Sequence, residues 1–283
     1  MKRCIHRIIF FISALILIAA CSGNATPDKR GKEKPKSESR QQYDKFRIME
    51  YCDTFPMDTF NRESPAMTIE ISLPILDSDD ERAKRINHYI CCASLGCEPD
   101  NTIEDNINSY IEQCKADYYS NHSHYLNEKG INHSAAWLNY SYRINGKIIE
   151  SRKGTICCEV DIITYQGGAH GTEDKVYITL DSASGYTFGL DDIFAEETTH
   201  TLVERLTTSL ARQLGVGTLE EIHSKGYLTD IDLWPTTNIH LTDDSIYFHY
   251  CSYEIAPYAL GSTTIALGYD QVKDIMLPTE KNN

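Results

Sequence analysis

One stretch, residues 155–194, restricts the possible folds more than any other part of the chain. It opens as Thr155-Ile-Cys-Cys-Glu-Val-Asp-Ile-Ile-Thr-Tyr165, where Ile156, Cys158, Val160 and Ile162 alternate on one face of an expected strand. It breaks at Gln166-Gly167-Gly168-Ala169-His170-Gly171 and resumes as Lys175-Val-Tyr-Ile-Thr-Leu180, again with period two. A turn through Asp181 to Gly185 leads into Tyr186 to Phe194. Three glycines around one histidine, between two strands, predict positive φ or close backbone approach. The chain before this break reads as one unit and the chain after it as another.

Upstream, residues 46–56 and 67–73 read as strands, the second closed by Pro74. Ala83, Ile86 and Ile90 mark a helix from Asp80 to Leu95, with acids in its first turn. Thr102 is expected to cap a second helix with the stripe Ile103, Ile107, Ile111, Cys114 and Tyr118. Leu138, Tyr140, Tyr142 and Ile144 share one strand face, and Asn145-Gly146 predicts a type I′ hairpin returning through residues 147–151. Downstream, Thr201-x-x-Glu204 suggests a capping box for a helix lined by Leu202, Leu206, Leu210 and Leu214, ending at Gly215. A short helix over 219–224 and strands over 238–241, 245–250 and 263–267 follow, then a helix near 269–275. Strands and helices come in blocks, which predicts an α+β fold: antiparallel sheets with packed helices, in two successive α/β subdomains.

The N-terminus points to a compartment. Residues 1–7 are basic, residues 8–20 are apolar, and Ile18-Ala19-Ala20 precede Cys21. This predicts a signal peptide over 1–20 and lipidation of Cys21, placing the protein in a bacterial cell envelope, periplasmic or at the cell surface. Residues 21–42 form a polar tether with a mean reach of roughly 25 Å. Two α+β units are expected at 43–170 and 171–277, with a tail at 278–283.

Charge is divided unevenly. Residues 29–47 carry eight Lys/Arg against three Asp/Glu, whereas residues 48–283 carry 16 against 37, a net −21. Such a surface disfavours nucleic acid and steers cationic partners. Beyond Cys4 and Cys21, eight cysteines remain in an oxidising compartment, so at least one disulfide is expected, with Cys97 and Cys91 or Cys92 a candidate pair. Their spacings match no zinc ribbon, and His122, His124 and His133 read as exposed loop histidines, so neither a metal nor a cofactor is expected.

Two constellations could carry chemistry. One is His170 within its glycines, with Cys157 or Cys158 as a conceivable nucleophile. The other is Tyr253-Glu254-x-x-Pro257-Tyr258, an aromatic and carboxylate cluster.

The runs Tyr165-x-Gly-Gly-Ala-His170, Tyr177-x-x-x-Asp181-x-x-x-Gly185-x-x-Phe188-x-Leu190-x-Asp192-Ile-Phe194 and Tyr253-Glu-Ile-Ala-Pro-Tyr-Ala-x-Gly261 resemble the RsiV-type extracytoplasmic domain. That family pairs two domains of unknown function. It binds lysozyme in lysozyme-responsive anti-sigma factors, and its N-terminal half resembles an accessory domain of some peptidoglycan deacetylases. The resemblance spans about residues 43–277. It implies a non-catalytic binding module whose partner is a cationic wall-active protein such as lysozyme, or peptidoglycan, with His170, Tyr253, Glu254 and Tyr258 as ligand-contacting residues. The chain departs from the sensors by having a lipid-anchor signal where they have a transmembrane helix. The alternative is an envelope hydrolase using His170 with a cysteine or Glu254.

Overall fold

The computed structural model describes residues 45–61, 63–96, 101–122, 125 and 136–278. The expected lipidation site Cys21, the expected disulfide partner Cys97, and His124 and His133 lie outside the described residues. No helix among the described residues is long and apolar enough to cross a membrane.

The first unit is a five-stranded sheet in the order β1-β2-β3-β4-β5, built from β1 (Phe46–Pro56), β2 (Ala66–Leu76), β3 (Tyr140–Ile149), β4 (Thr155–Gln166) and β5 (Thr172–Asp181). Helices α1 (Glu81–Leu95) and α2 (Ile103–His122) lie between β2 and β3 in sequence. They return the chain to the sheet end where β2 began, so β3 enters parallel to β2 while the other neighbouring pairs are antiparallel. This parallel pairing departs from the expected all-antiparallel sheet.

Helices α1 and α2 start at the expected caps. Asp80 Oδ1 accepts the Ala83 amide at 2.8 Å and Thr102 Oγ1 accepts the Asp105 amide at 3.1 Å. Ala83, Ile86, Ile90, Ile107, Ile111 and Tyr118 bury against Met67, Ile69, Ile71, Ile144, Ile156, Cys158, Val160, Ile178 and Leu180. These core positions on β4 and β5 are the even-numbered residues. The odd-numbered ones point to the opposite sheet face.

The second unit is the antiparallel sheet β6 (Ile239–Leu241), β7 (Ser245–Tyr250) and β8 (Thr263–Gly268), with α3 (Thr199–Leu214), α4 (Leu219–Ser224) and α5 (Tyr269–Val272). Leu202, Leu206 and Leu210 pack on Ile246, Phe248, Ile265 and Leu267, and Gly215 closes α3 at φ 69°. The last residue of the first core is Leu180 and the first of the second is Ile193. The expected division at 170/171 therefore falls too early, because β5 pairs with β4 along its length and stays with the first unit.

Four local expectations are corrected. Asn145 and Gly146 lie inside β3, not in a hairpin; an alanine Cβ at Gly146 would sit 2.9 Å from Pro74 Cδ and 3.0 Å from Leu73 Cδ2. Close approach of β2 requires that glycine, and the turn falls later, at Gly154 with φ 86°. β2 continues through Pro74, which lies beyond the last β2–β3 pair at Ser72, where a missing N–H costs no bond to β3. Helix α3 begins at Thr199 rather than at a Thr201 cap. His122 is buried rather than exposed, with Nδ1 3.0 Å from Tyr118 O and its ring among Tyr118, Tyr140 and Trp137.

The register gives the sheet two distinct ends. Phe46, Leu76, Ile149, Thr155 and Asp181 lie at one, and Pro56, Ala66, Tyr140, Gln166 and Thr172 at the other. The 12 residues of β4 separate them by about 35 Å. The described chain enters at the first end.

Candidate functional site

The glycine–histidine break is the hairpin joining β4 to β5 at the far end of the sheet. Gly167 and Gly168 take φ 79° and 90°, and a Cβ at Gly171 would lie 2.4 Å from Thr164 O. The glycines thus serve both purposes expected of them, left-handed backbone and close approach. The resulting tight hairpin holds His170 exposed, with Nδ1 3.0 Å from Gly171 O.

The second unit brings the turn at 251–261 to the same place. Ile255 and Ala256 anchor the turn by burial, and Leu228 N donates to Ile255 O at 3.0 Å. Glu254 Oε2 accepts the Cys251 amide, and Tyr253 N donates to Ala256 O at 3.1 Å. This tight turn forces Tyr253 to φ 73°, a conformation that costs a non-glycine residue about 1–2 kcal/mol. Its ring is nevertheless 64 % exposed.

Tyr258 links the two units. Its hydroxyl donates to Gly171 O at 3.1 Å and its ring stacks on His170, with centroids 4.2 Å apart and planes 13° apart. Tyr253 continues the stack at 5.6 Å and 29°. His170, Tyr258 and Tyr253 therefore form one aromatic ladder, assembled from both units. Of the four residues expected here, Glu254 is the one whose carboxylate is occupied by its own turn. Glu173 and Asp174, next along β5, add negative charge to the rim. Trp137 lies in a 3-10 turn, 41 % exposed, with its carbonyl against Gly167.

This geometry does not pair His170 with a thiol on β4. Cys158 faces Ile178 and Thr164 faces Thr172, so six residues, about 20 Å, separate the cysteine from the hairpin. Cys157 and Cys158 are fully buried on opposite faces, and burial pushes both thiols up to about 12. Neither is a thiolate at neutral pH. Cys52, Cys114, Cys157, Cys158 and Cys251 form no disulfide.

A polar seam on the odd-numbered face of β4 and β5 supports the ladder. Lys147 and Lys175 reach Glu159 Oε1 at 2.7 and 3.0 Å, and Lys175 also bonds Asp161. Burial opposes the Glu159 charge, yet hydrogen bonds from Lys147, Lys175 and Tyr177 bring its carboxyl down to about 2. Tyr177 stacks on His249 of β7 at 3.6 Å. Burial, with His240 beside it, holds His249 down to about 3 and therefore neutral. Asn238 closes the seam: its Oδ1 accepts the Tyr177 amide at 2.7 Å and its Nδ2 donates to Lys175 O at 2.9 Å. The alternation of Glu159 and Asp161 with Lys175 and Tyr177 was visible in the sequence, but the partners on β6 and β7 were not.

Comparison with known proteins matches these two halves separately. Residues 60–173 match the domain described as Deacetylase PdaC, and residues 191–270 match the domain described as a protein of unknown function, DUF3298. None of the curated proteins matches the chain. Among solved structures, a DUF3298 family member from Bacteroides fragilis NCTC 9343 superposes with a TM-score of 0.71 at 25 % identity, covering 83 % of this chain and 94 % of that one. A DUF3298 family protein from Pseudomonas aeruginosa PAO1 shares the fold, with a TM-score of 0.57 at 16 % identity, over 83 % and 96 % of the two chains. The chain thus carries a PdaC-like domain followed by a DUF3298 domain, with His170 of the ladder in the first and Tyr253 and Tyr258 in the second.

Proposed function

We propose that the protein is an envelope lipoprotein anchored through Cys21, and that its folded part is a non-catalytic binding module for a cationic wall-active enzyme of the lysozyme kind. The observation that carries this reading is the ladder His170–Tyr258–Tyr253, exposed at His170 and Tyr253 and half-buried at Tyr258. Flat aromatic rings on a rigid support are the anchors that dominate protein interfaces. They lie beside Glu173 and Asp174, on a body with 16 Lys/Arg against 37 Asp/Glu over residues 48–283. His170 Nδ1 and the Glu254 carboxylate are engaged within their own turns, and the β4 thiols are buried about 20 Å from the hairpin, which supports binding over hydrolysis. The PdaC-like match fits the resemblance to accessory domains of peptidoglycan deacetylases.

Calorimetric titration tests the reading, with lysozyme, cytochrome c as a basic control, and a soluble peptidoglycan fragment, each at physiological salt. Selective binding of lysozyme is expected, weakened about 30-fold by Tyr253→Ala, the loss of one aromatic anchor. The exposure of Tyr253 leaves the fold intact, which circular dichroism verifies. Equal, weak binding of both basic proteins reduces the interaction to charge and refutes the proposal. Binding of the glycan fragment alone assigns the ladder to sugar instead.

A further inference from the structure

The opposite end of the sheet carries a groove of about 920 Å³ whose lining includes Lys45, Phe46, Arg82, Arg152, Lys153 and Asp243. Its charge runs against the rest of the molecule. Four cations line it against two acids, Glu150 and Asp243, whereas residues 48–283 as a whole carry 16 Lys/Arg against 37 Asp/Glu. Of the acids nearby, Asp77 and Glu81 are paired with Arg47 at 3.3 Å and Lys84 at 2.9 Å, and Asp80 and Asp181 lie close enough to Arg82 for its charge to help lower their carboxyls. Two of the guanidinium groups are held in place: Arg82 Nε donates to Ser182 O at 2.6 Å, and Arg152 lies 5.1 Å over the Tyr269 ring. Lys153 and Gly154 are exposed at the tip of the β3–β4 turn.

Lys45 lines the groove and lies near the end of the basic segment 29–47 with its eight Lys/Arg. In sequence, the basic segment therefore leads directly into a groove that is positive on an otherwise acidic protein. We infer that this groove is a docking surface for the phosphate headgroups of an anionic lipid membrane, which seats the folded part with its aromatic ladder about 35 Å away, facing outward. The inference rests on the proposed membrane anchoring and goes beyond it by fixing an orientation. Tethering alone leaves the body free to turn, and its net negative charge would repel an anionic surface in any other pose. Each cation near such a surface contributes about five-fold in affinity.

Lysine footprinting of the full chain in vesicles tests this. The vesicles are phosphatidylcholine alone, or phosphatidylcholine with one-third phosphatidylglycerol. An amine-reactive label is quantified by mass spectrometry at Lys45 and Lys153, and at Lys115 and Lys225 as controls near the far end. Lys45 and Lys153 should label at least five-fold more slowly in the anionic vesicles, with the controls unchanged. About 0.5 M salt should abolish the difference, because the Debye length there is only about 4 Å. Arg152→Glu should remove the protection, and Lys153→Gln, at an exposed turn position that tolerates the change, should reduce it at Lys45. Equal labelling in both vesicle types overturns the inference. Equivalent protection by inorganic phosphate without vesicles overturns the membrane as occupant. Flotation of the chain with vesicles at high salt reads the lipid anchor separately, so failure of the anchor is distinguishable from failure of the docking surface.

Discussion

Removing the charge of Glu159 isolates the seam that holds the two units together. In Glu159→Gln the side chain keeps its size and an acceptor oxygen, so mainly charge is lost. The carboxyl stands at about 2 against an ordinary value of 4.5, a ceiling of about 3 kcal/mol at 1.36 kcal/mol per unit. Lys147 is 56 % exposed and Lys175 is 34 % exposed, so solvent screening reduces the gain to about 1–2 kcal/mol. The folded-state value is the lower one, so the unfolded chain takes up the proton first as pH falls. The contribution is complete above about pH 4.5 and disappears as pH falls through about 2. Urea unfolding at a series of pH values from 7 to 2.5 reads it. The variant should unfold about 0.5 M earlier at pH 7, given a slope of about 2–3 kcal/mol per molar for this size, and the gap should narrow steadily below pH 4.5. Glutamine does not titrate, so a gap that stays constant to pH 2.5, or no gap at pH 7, refutes the assignment of this stabilisation to the Glu159 charge.

Two further outcomes follow from the packing. Gly146→Ala should cost about 1–3 kcal/mol by driving a methyl group against Pro74 and Leu73, and a loss under about 0.5 kcal/mol in denaturant titration would show that β2 has room there. Cys52 is exposed while Cys157 and Cys158 are buried with thiols near 12, so a thiol reagent at pH 8 should label the first in the native protein and the other two only on unfolding. Rapid native labelling of Cys157, read by peptide mass spectrometry, would contradict its burial under the second unit.

The sequence disclosed the elements better than their neighbours. Period-two runs in β4 and β5 and the leucine stripe of α3 are local patterns, and local patterns set secondary structure and face. The parallel entry of β3 is a long-range consequence of two intervening helices, which no local pattern reports. Gly146 misled for a related reason: Asn-Gly is a strong turn signal, but here tertiary crowding by Pro74 requires the glycine and overrides the turn. His170, Tyr253 and Tyr258 were recognisable as unusual because glycines and aromatics clustered around them. Their stacking was not, since 83 to 88 residues separate His170 from the tyrosines. The seam was the least legible part, because Lys147, Glu159 and Lys175 read singly as ordinary exposed strand charges.

The ladder and the seam share the same ribbon, β4 and β5, and that places a physical condition on the site. His170 belongs to the hairpin of the first unit, and Tyr258 and Tyr253 belong to the turn of the second. The ladder therefore exists only while the units are docked. Between its rungs and the seam lie only Thr172 to Asp174 on β5, too short a span to bend independently of a paired strand. Whatever loosens Tyr177 from His249, or Asn238 from the backbone of β5, displaces Tyr258 from Gly171 as well. The rigidity of this face thus comes from burial and hydrogen bonding at the junction, to which Tyr258 adds its bond to Gly171.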